Sequence, residues 1–178
     1  DFLDSVSRLS RIVTANSLVE QRLIGWGVPK EKLVRIPIGV DTDLFIPPTP
    51  EQRAVSRAAM GIEDHQIAIG SFQKDGVGWG EGLGPKLIKG PDVFLSLVER
   101  LNRDMPLFVV LSGPARGYVK RGLERLGIPY AHGYVDSHEE LVASYHALDL
   151  YLVTSREEGG PMGLMESMAS GVPVVSTA

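Results

Sequence analysis

Short apolar runs alternate along this chain with amphipathic segments of ten or more residues, a rhythm that few folds accept. A strand-length run followed by a helix-length segment, repeated, winds into a parallel sheet with helices on both faces. The strand candidates are Arg11–Ala15, Leu33–Pro37, Gln66–Phe72, Leu107–Ser112, Tyr130–Val135, Leu148–Thr154 and Val172–Ser176. The central ones are rich in β-formers and nearly unbroken by polar residues, as strands buried on both faces must be. Helices are expected from Leu18 to Trp26, with Leu18, Arg22 and Leu23 at helical spacing, and from Asp92 to Arg103, where Val93, Phe94, Leu97, Val98 and Leu101 form a stripe. Ser137 to Glu140 reads as a capping box for a helix running to about Ala147. Pro161 to Ser170, with Gly171 just beyond, has the proline-start, glycine-stop signature of another.

Composition limits what such a fold does here. The 178 residues fit one domain with a substantial core, 43% of them apolar and 22% charged. A formal net charge of −4 argues against a nucleic-acid partner, which needs a basic face. No apolar run approaches the roughly 20 residues that span a bilayer, and no signal-peptide pattern is visible. The absence of cysteine removes disulfides, thiolate catalysis and Cys-ligated zinc, and fits a reducing cytoplasm. Beginning at Asp1 without methionine and ending on the strand-like Val174–Ala178, the chain reads as a piece of a longer protein.

Two stretches carry the chemistry. Residues 73–91 make a connection far longer than the usual two to six residues, with glycine at 76, 78, 80, 82 and 84 and Trp79 among them. It contains neither a G-x-G-x-x-G nor a G-K-[ST] phosphate loop, which leaves a surface loop or a lid bracketed by Lys74 and Lys89. The second stretch runs from Ser155 to Glu166. A strand ends near Thr154, Gly159 and Gly160 follow, and a helix begins at Pro161. The free N–H groups and dipole of such a helix start suit an anion, at the end of the strands where open α/β sheets bind ligands. On this helix Leu164, Met165, Met168 and Ala169 form the expected core stripe, and Glu166 points away from it. Glu158 and Glu166 thus flank an anion-binding end, a layout matching polyol, diphosphate and polyol in a nucleoside diphosphate sugar. Spacing alone better fits a solvated Glu166 and a Glu158 that merely favours the helix start.

The segment Glu158-x7-Glu166 with Ser167-Met168-Ala169-Ser170-Gly171-Val172-Pro173-Val174-Val175 resembles the E-x7-E motif of glycosyltransferase family 4, the group 1 glycosyltransferases of GT-B fold. Gly160-Pro161 replaces the motif's F-G, and Ser167 its alanine. Val34 to Pro47 is similar to the family's V-I-P-N-G-V-D-x-x-x-F-x-P, with Ile38 for the asparagine, and Lys89-Gly90-Pro91-Asp92 to its K-G-x-D. The resemblance implies a Rossmann-like C-terminal half of a GT-B fold, with residues 31–178 as the nucleotide-sugar donor domain, truncated at its end. Residues 1–30 resemble the last strand and helix of the N-terminal acceptor domain, the rest of which is missing.

It also implies roles. Glu166 would bind the donor ribose, and Glu158 would sit beside the transferred sugar. The backbone of Gly159, Gly160, Met162 and Gly163 would hold sugar and diphosphate, and Lys89 would neutralise the diphosphate. Where the family carries an arginine after the glycine matching Gly70, Ser71 stands, with Lys74 as a substitute cation. Gly133-Tyr134-Val135 matches the turn that contacts the nucleobase. The implied reaction is hexosyl transfer with retention, with Glu158 and Lys89 as the catalytic pair, no cofactor and no metal. The implied location is cytoplasmic, with peripheral contact at the inner face of a membrane through the missing half. The isolated chain is expected to bind donor weakly and to transfer nothing.

Other signals fit less well. Asp41-Thr42-Asp43 is literally a D-x-D, the metal signature of the other large glycosyltransferase fold, but its setting favours an Asx turn. His65, His132, His138 and His146 lack ligand spacing, and only His132, beside the base-contacting turn, merits attention. Arg116, Lys120, Arg121 and Arg125 read as a solvated basic helix face. The competing functions are a Rossmann-type module of an epimerase or NAD-dependent oxidoreductase, which the missing G-x-G-x-x-G opposes, and a non-catalytic sugar-nucleotide-binding domain.

Overall fold

A computed structural model describes residues 2–177 and divides the chain between two compact units. The smaller runs as far as Gly39 and includes Glu158–Met162. It contains α1 (Phe2–Val6), β1 (Ile12–Thr14), α2 (Ser17–Gly25) and β2 (Leu33–Arg35). Asn16 starts α2 by accepting the Val19 N–H at 2.9 Å, which satisfies one of the donors a helix start leaves open. The strands pair in parallel, Ile12 opposite Leu33 and Thr14 opposite Arg35. Val6, Leu23 and Val28 are the buried core, with Ile12, Val19 and Leu33 packed against it. Lys32 sets its ammonium on the carbonyls of Val6, Ser7 and Leu9 at 2.6, 3.2 and 3.0 Å, where α1 ends and its open carbonyls favour a cation.

The larger unit comprises Val40–Glu157 and the residues from Gly163 onward. Its elements are α3 (Pro50–Met60), β3 (Ile67–Phe72), α4 (Pro91–Leu101), β4 (Leu107–Ser112), α5 (Gly117–Leu126), β5 (Tyr130–Gly133), α6 (His138–His146), β6 (Leu150–Val153), α7 (Met162–Ala169) and β7 (Val174–Ser176). The five strands form one parallel sheet in the order β5-β4-β3-β6-β7. Alternate residues feed two cores, as the two-residue period of a strand requires. Ala68, Phe108, Val110, Tyr151 and Val153 face one core together with Phe45, Val142 and Tyr145. Ile69, Leu107, Val109, Leu111 and Leu152 face the other, against Phe94, Leu95 and Val98 of α4 and Val119 and Leu123 of α5. The expected open parallel α/β sheet covered on both faces is therefore the fold. Among the described residues, no helix is long and apolar enough to cross a membrane.

Several expectations change. Apart from β4, which has the expected bounds, the strands are shorter than their apolar runs, because residues such as Thr154 and Pro37 lie beyond the pairing. Sequence reading passed over α3, although Thr49 and Gln52 form a reciprocal capping box and Pro50 opens the helix. Leu18 is exposed, and only Leu23 of its stripe is buried. In α7, Met168 faces solvent at 63% exposure, whereas Glu166 is buried at 9% and so does not point away from the core. Arg116 is 1% exposed and so is no part of a solvated basic face, though Arg121 and Arg125 are exposed. Asp41 does make the expected Asx turn, its Oδ1 accepting the N–H groups of Asp43 and Leu44 at 3.0 and 3.2 Å.

Candidate functional site

The register of the sheet brings a set of polar groups to one rim. Phe72 lies opposite Ser112, and Ser112 opposite Gly133, so β3, β4 and β5 end side by side. In a parallel sheet this carboxyl end is where ligands bind. Ser71, one residue before the end of β3, is 1% exposed. Its Oγ accepts from an Nη of Arg116 at 3.2 Å, and its carbonyl accepts from the other Nη. The same guanidinium donates to the Ser112 carbonyl at 2.9 Å, and its Nε lies 3.1 Å from Asp75. Ser71 thus faces a buried cation, and the ends of β3 and β4 are joined through Arg116. Burial pushes the Asp75 carboxyl up, against the opposing pull of Arg116.

Within residues 73–91, residues 75–86 form a hydrogen-bonded hairpin. The Val77 N–H donates to the Gly84 carbonyl at 2.9 Å, Gly76 bridges Pro85, and the Lys86 N–H donates to the Asp75 backbone carbonyl at 2.8 Å. The hairpin is docked by its tip: the carbonyls of Glu81 and Gly82 accept the N–H groups of Gly117 and Tyr118 at 2.7 and 2.9 Å, capping α5. Only glycine fits at 82, where φ is 71° and a Cβ would lie 2.2 Å from the Ala115 carbonyl oxygen. Trp79 stands 86% exposed on this hairpin, with the Lys74 ammonium 3.4 Å from its ring centroid. Lys89 closes a short 3₁₀ turn, Leu87–Lys89, and its carbonyl accepts from Gln73 Nε2 at 3.1 Å.

Beside the end of β5, a hollow of about 430 Å³ is lined by Ser112, His132, Gly133, Tyr134, Val135 and Glu140. Tyr134 is exposed and Val135 half-buried there. A second hollow of about 350 Å³ is lined by Glu81, Arg116, Lys120, Arg121, Glu124 and His132. His132 borders both, with Nε2 2.9 Å from the Gly113 carbonyl.

Below α7 two buried phenols meet the helix. Tyr145, 0% exposed, donates to Glu166 Oε2 at 2.8 Å, and its hydroxyl lies 3.4 Å from the Gly163 carbonyl. The Tyr151 hydroxyl accepts the Phe72 N–H at 3.2 Å and fills the space where a side chain on Gly163 would begin, 2.2 Å from that Cβ position. Burial pushes Tyr145 far above the ordinary phenol range and Tyr151 up to about 12, so both remain hydroxyl donors at neutral pH. Gly163 and Glu166 are therefore fixed from one side by tyrosines.

Glu158, Gly159, Gly160 and Met162 belong to the smaller unit. There the Gly159 carbonyl accepts from Asn16 Nδ2 at 2.6 Å, Gly160 lies beside Ile38 and Ala15, Glu158 is half-buried and Met162 is 44% exposed. Of the predicted set, the larger unit unites Gly163 with Glu166 and places Ser71 on Arg116, while Lys74 lies on Trp79. Sequence reading missed Asp75, Arg116 and Tyr145. The helical spacing of Val142 and Tyr145 marks a shared face, but nothing local marks a buried arginine inside a basic run.

Comparison with known proteins identifies the family. The family model described as glycosyl transferases group 1 matches residues 84–178. The chain belongs to the group 1 glycosyl transferases. Among curated relatives, this transferase chain is 31% identical to the D-inositol 3-phosphate glycosyltransferase of Corynebacterium aurimucosum, over 94% of the chain and 40% of that protein. It is 28% identical to the lipopolysaccharide core biosynthesis mannosyltransferase LpsB of Rhizobium meliloti, over 78% of the chain and 38% of that protein. The group 1 chain thus spans about two fifths of the length of these relatives. Its fold is shared with a glycosyltransferase from Rickettsia africae (TM-score 0.74, 19% identity, 95% of this chain and 44% of that one). It is shared too with Anabaena HepE, solved in complex with UDP and glucose (TM-score 0.70, 22% identity, 94% and 44%).

Proposed function

We propose that this chain is the donor-binding domain of a retaining glycosyltransferase that moves a hexosyl unit from a nucleoside diphosphate sugar to an acceptor. The observation that carries the reading is the Glu166 carboxylate, buried in α7 yet held by a hydroxyl donor, on a helix whose first turn follows two glycines. A buried carboxylate is costly unless hydrogen-bond donors or a counter-charge meet it; ribose hydroxyls are donors that complete its set. HepE, of the same fold, holds UDP and glucose, which supports a nucleotide sugar as ligand here.

Within this reading Glu158 lies beside the transferred sugar, and the backbone of Gly159, Gly160, Met162 and Gly163 receives sugar and diphosphate. Lys89 supplies positive charge to the departing diphosphate, with Lys74 as a second cation lifted from Trp79. Ser71 shapes the floor under them, its hydroxyl turned to Arg116. The hollow at Gly133, Tyr134 and Val135 takes the base. Charge on the leaving group is stabilised by fixed lysines and the start of α7, a scheme that requires no metal. Residues 1–30 are read as the last piece of an acceptor-binding domain, so the chain alone binds donor and transfers nothing. The working location is the cytoplasm.

Calorimetric titration with UDP-, GDP- and ADP-sugars, and with NAD, tests this. One sugar nucleotide should bind, and Glu166→Ala should weaken it about 10- to 100-fold, the worth of hydrogen bonds to a charged group. Binding of NAD but of no sugar nucleotide would overturn the proposal.

A further inference from the structure

We infer that Tyr145 is the positioning residue for Glu166, and that its hydroxyl gives the site its preference for an intact ribose. This rests on the reading of Glu166 as the ribose acceptor. Glu166 sits on a helix of eight residues, Met162–Ala169, and a glutamate side chain has three torsions to settle. Two vicinal hydroxyls are best met by a carboxylate presented in one orientation, because two hydrogen bonds must form together.

The structure supplies the restraint. Tyr145 comes from α6, and its ring is enclosed by Phe45, Phe72 and Tyr151 at centroid distances of 5.9, 4.8 and 5.7 Å. With no exposed surface the ring has no room to turn aside. Its hydroxyl has one proton, for which Glu166 Oε2 at 2.8 Å, the Gly163 carbonyl at 3.4 Å and the neighbouring Tyr151 hydroxyl compete. The shorter contact is to the group that carries charge, so the proton goes to the carboxylate. Oε2 is thereby anchored, which leaves Oε1 and the remaining lone pair of Oε2 for ligand hydroxyls. Tyr145 touches no substrate in this arrangement and acts through Glu166 alone.

Tyr145→Phe removes the hydroxyl and keeps the ring, and thermal unfolding checks that the variant folds. The wild type, Tyr145→Phe and Glu166→Ala are titrated with UDP, GDP and ADP, each beside its 2′,3′-dideoxy analogue. Tyr145→Phe should weaken the ribonucleotide about tenfold and leave the dideoxy analogue unchanged. Equal weakening of both forms would reduce Tyr145 to a packing role and overturn the inference. So would an unchanged Tyr145→Phe beside a weakened Glu166→Ala, with the ribose reading still standing. An unaffected Glu166→Ala, or no nucleotide binding at all, would remove the ribose reading and this inference with it.

Discussion

A guanidinium sealed from water needs its charge balanced and its donors met by the groups around it. Arg116 is in that position: Asp75 lies at its Nε, both Nη atoms reach Ser71, and one also reaches Ser112. Asp75 is itself 0% exposed. Removing one partner strands the other charge in the interior, which costs about 3–5 kcal/mol, whereas removing both for apolar side chains of similar size is near neutral. Arg116→Met should therefore lower the urea unfolding free energy by about that amount, and Arg116→Met with Asp75→Leu should recover most of it. A single variant within 0.5 kcal/mol of wild type, the usual range for surface changes, would show the pair to be dispensable. This pair was illegible in the sequence. Arg116 stands among Lys120, Arg121 and Arg125, and Asp75 among glycines 41 positions away, so only the docking of the hairpin on α5 brings them together.

Among the elements, α4 and the turn after β6 are tied by a bidentate ion pair. Both Nη atoms of Arg156 meet the Asp92 carboxylate, at 2.9 and 2.6 Å, at the first turn of α4 where negative charge is also favoured by the helix dipole. The hydrogen bonds from Arg156 hold the Asp92 carboxyl below its ordinary value. A carboxyl depressed in the folded state binds fewer protons there than when unfolded. Its stabilisation is thus present above the unfolded value of about 3.9 and lost as pH falls through the depressed folded one. Because the pair is more than a third exposed, about 0.2–1 kcal/mol is at stake. Asp92→Asn should lower stability by that amount at pH 7 and by progressively less as pH falls through the depressed folded value; an equal loss at all pH values would assign the effect to contacts that do not need the charge. The elements were read unevenly from sequence, for physical reasons. β3 and β4 were visible because both faces are apolar, and α7 because proline and glycine mark its ends. α3 was missed because only 2 of its 11 residues, Ser56 and Arg57, are buried, which leaves no apolar stripe to detect. The orientation of α7 was misread because the partner of Glu166 is a phenol from α6, which no pattern within α7 records.

At the scale of the whole molecule the two units differ in what holds them. Among the described residues, the apolar core of the smaller consists of three buried side chains, and its sheet has two strands whose outward side chains, Val13 and Val34, are 60% and 36% exposed. A two-stranded sheet over so small a core is marginal on its own terms. The larger unit has a five-stranded sheet between two apolar clusters, and every residue of β4 is buried. Local opening follows such differences, from near zero free energy at weakly packed segments to the full unfolding value in a core strand. Amides of Ile12–Thr14 and Leu33–Arg35 should therefore exchange with solvent deuterium at least about 100-fold faster than those of Val109–Leu111, a gap of roughly 2.7 kcal/mol. The consequence reaches the proposed site, because Glu158, Gly159 and Gly160 are held with the smaller unit, Gly159 through Asn16. Their amides should share its fast exchange, while Glu166, fastened to Tyr145 in the larger unit, should share the slow exchange of β4. Uniform protection across both sets would mean that the chain opens as one cooperative body, and that the glycine turn is as firmly built as the carboxylate it precedes.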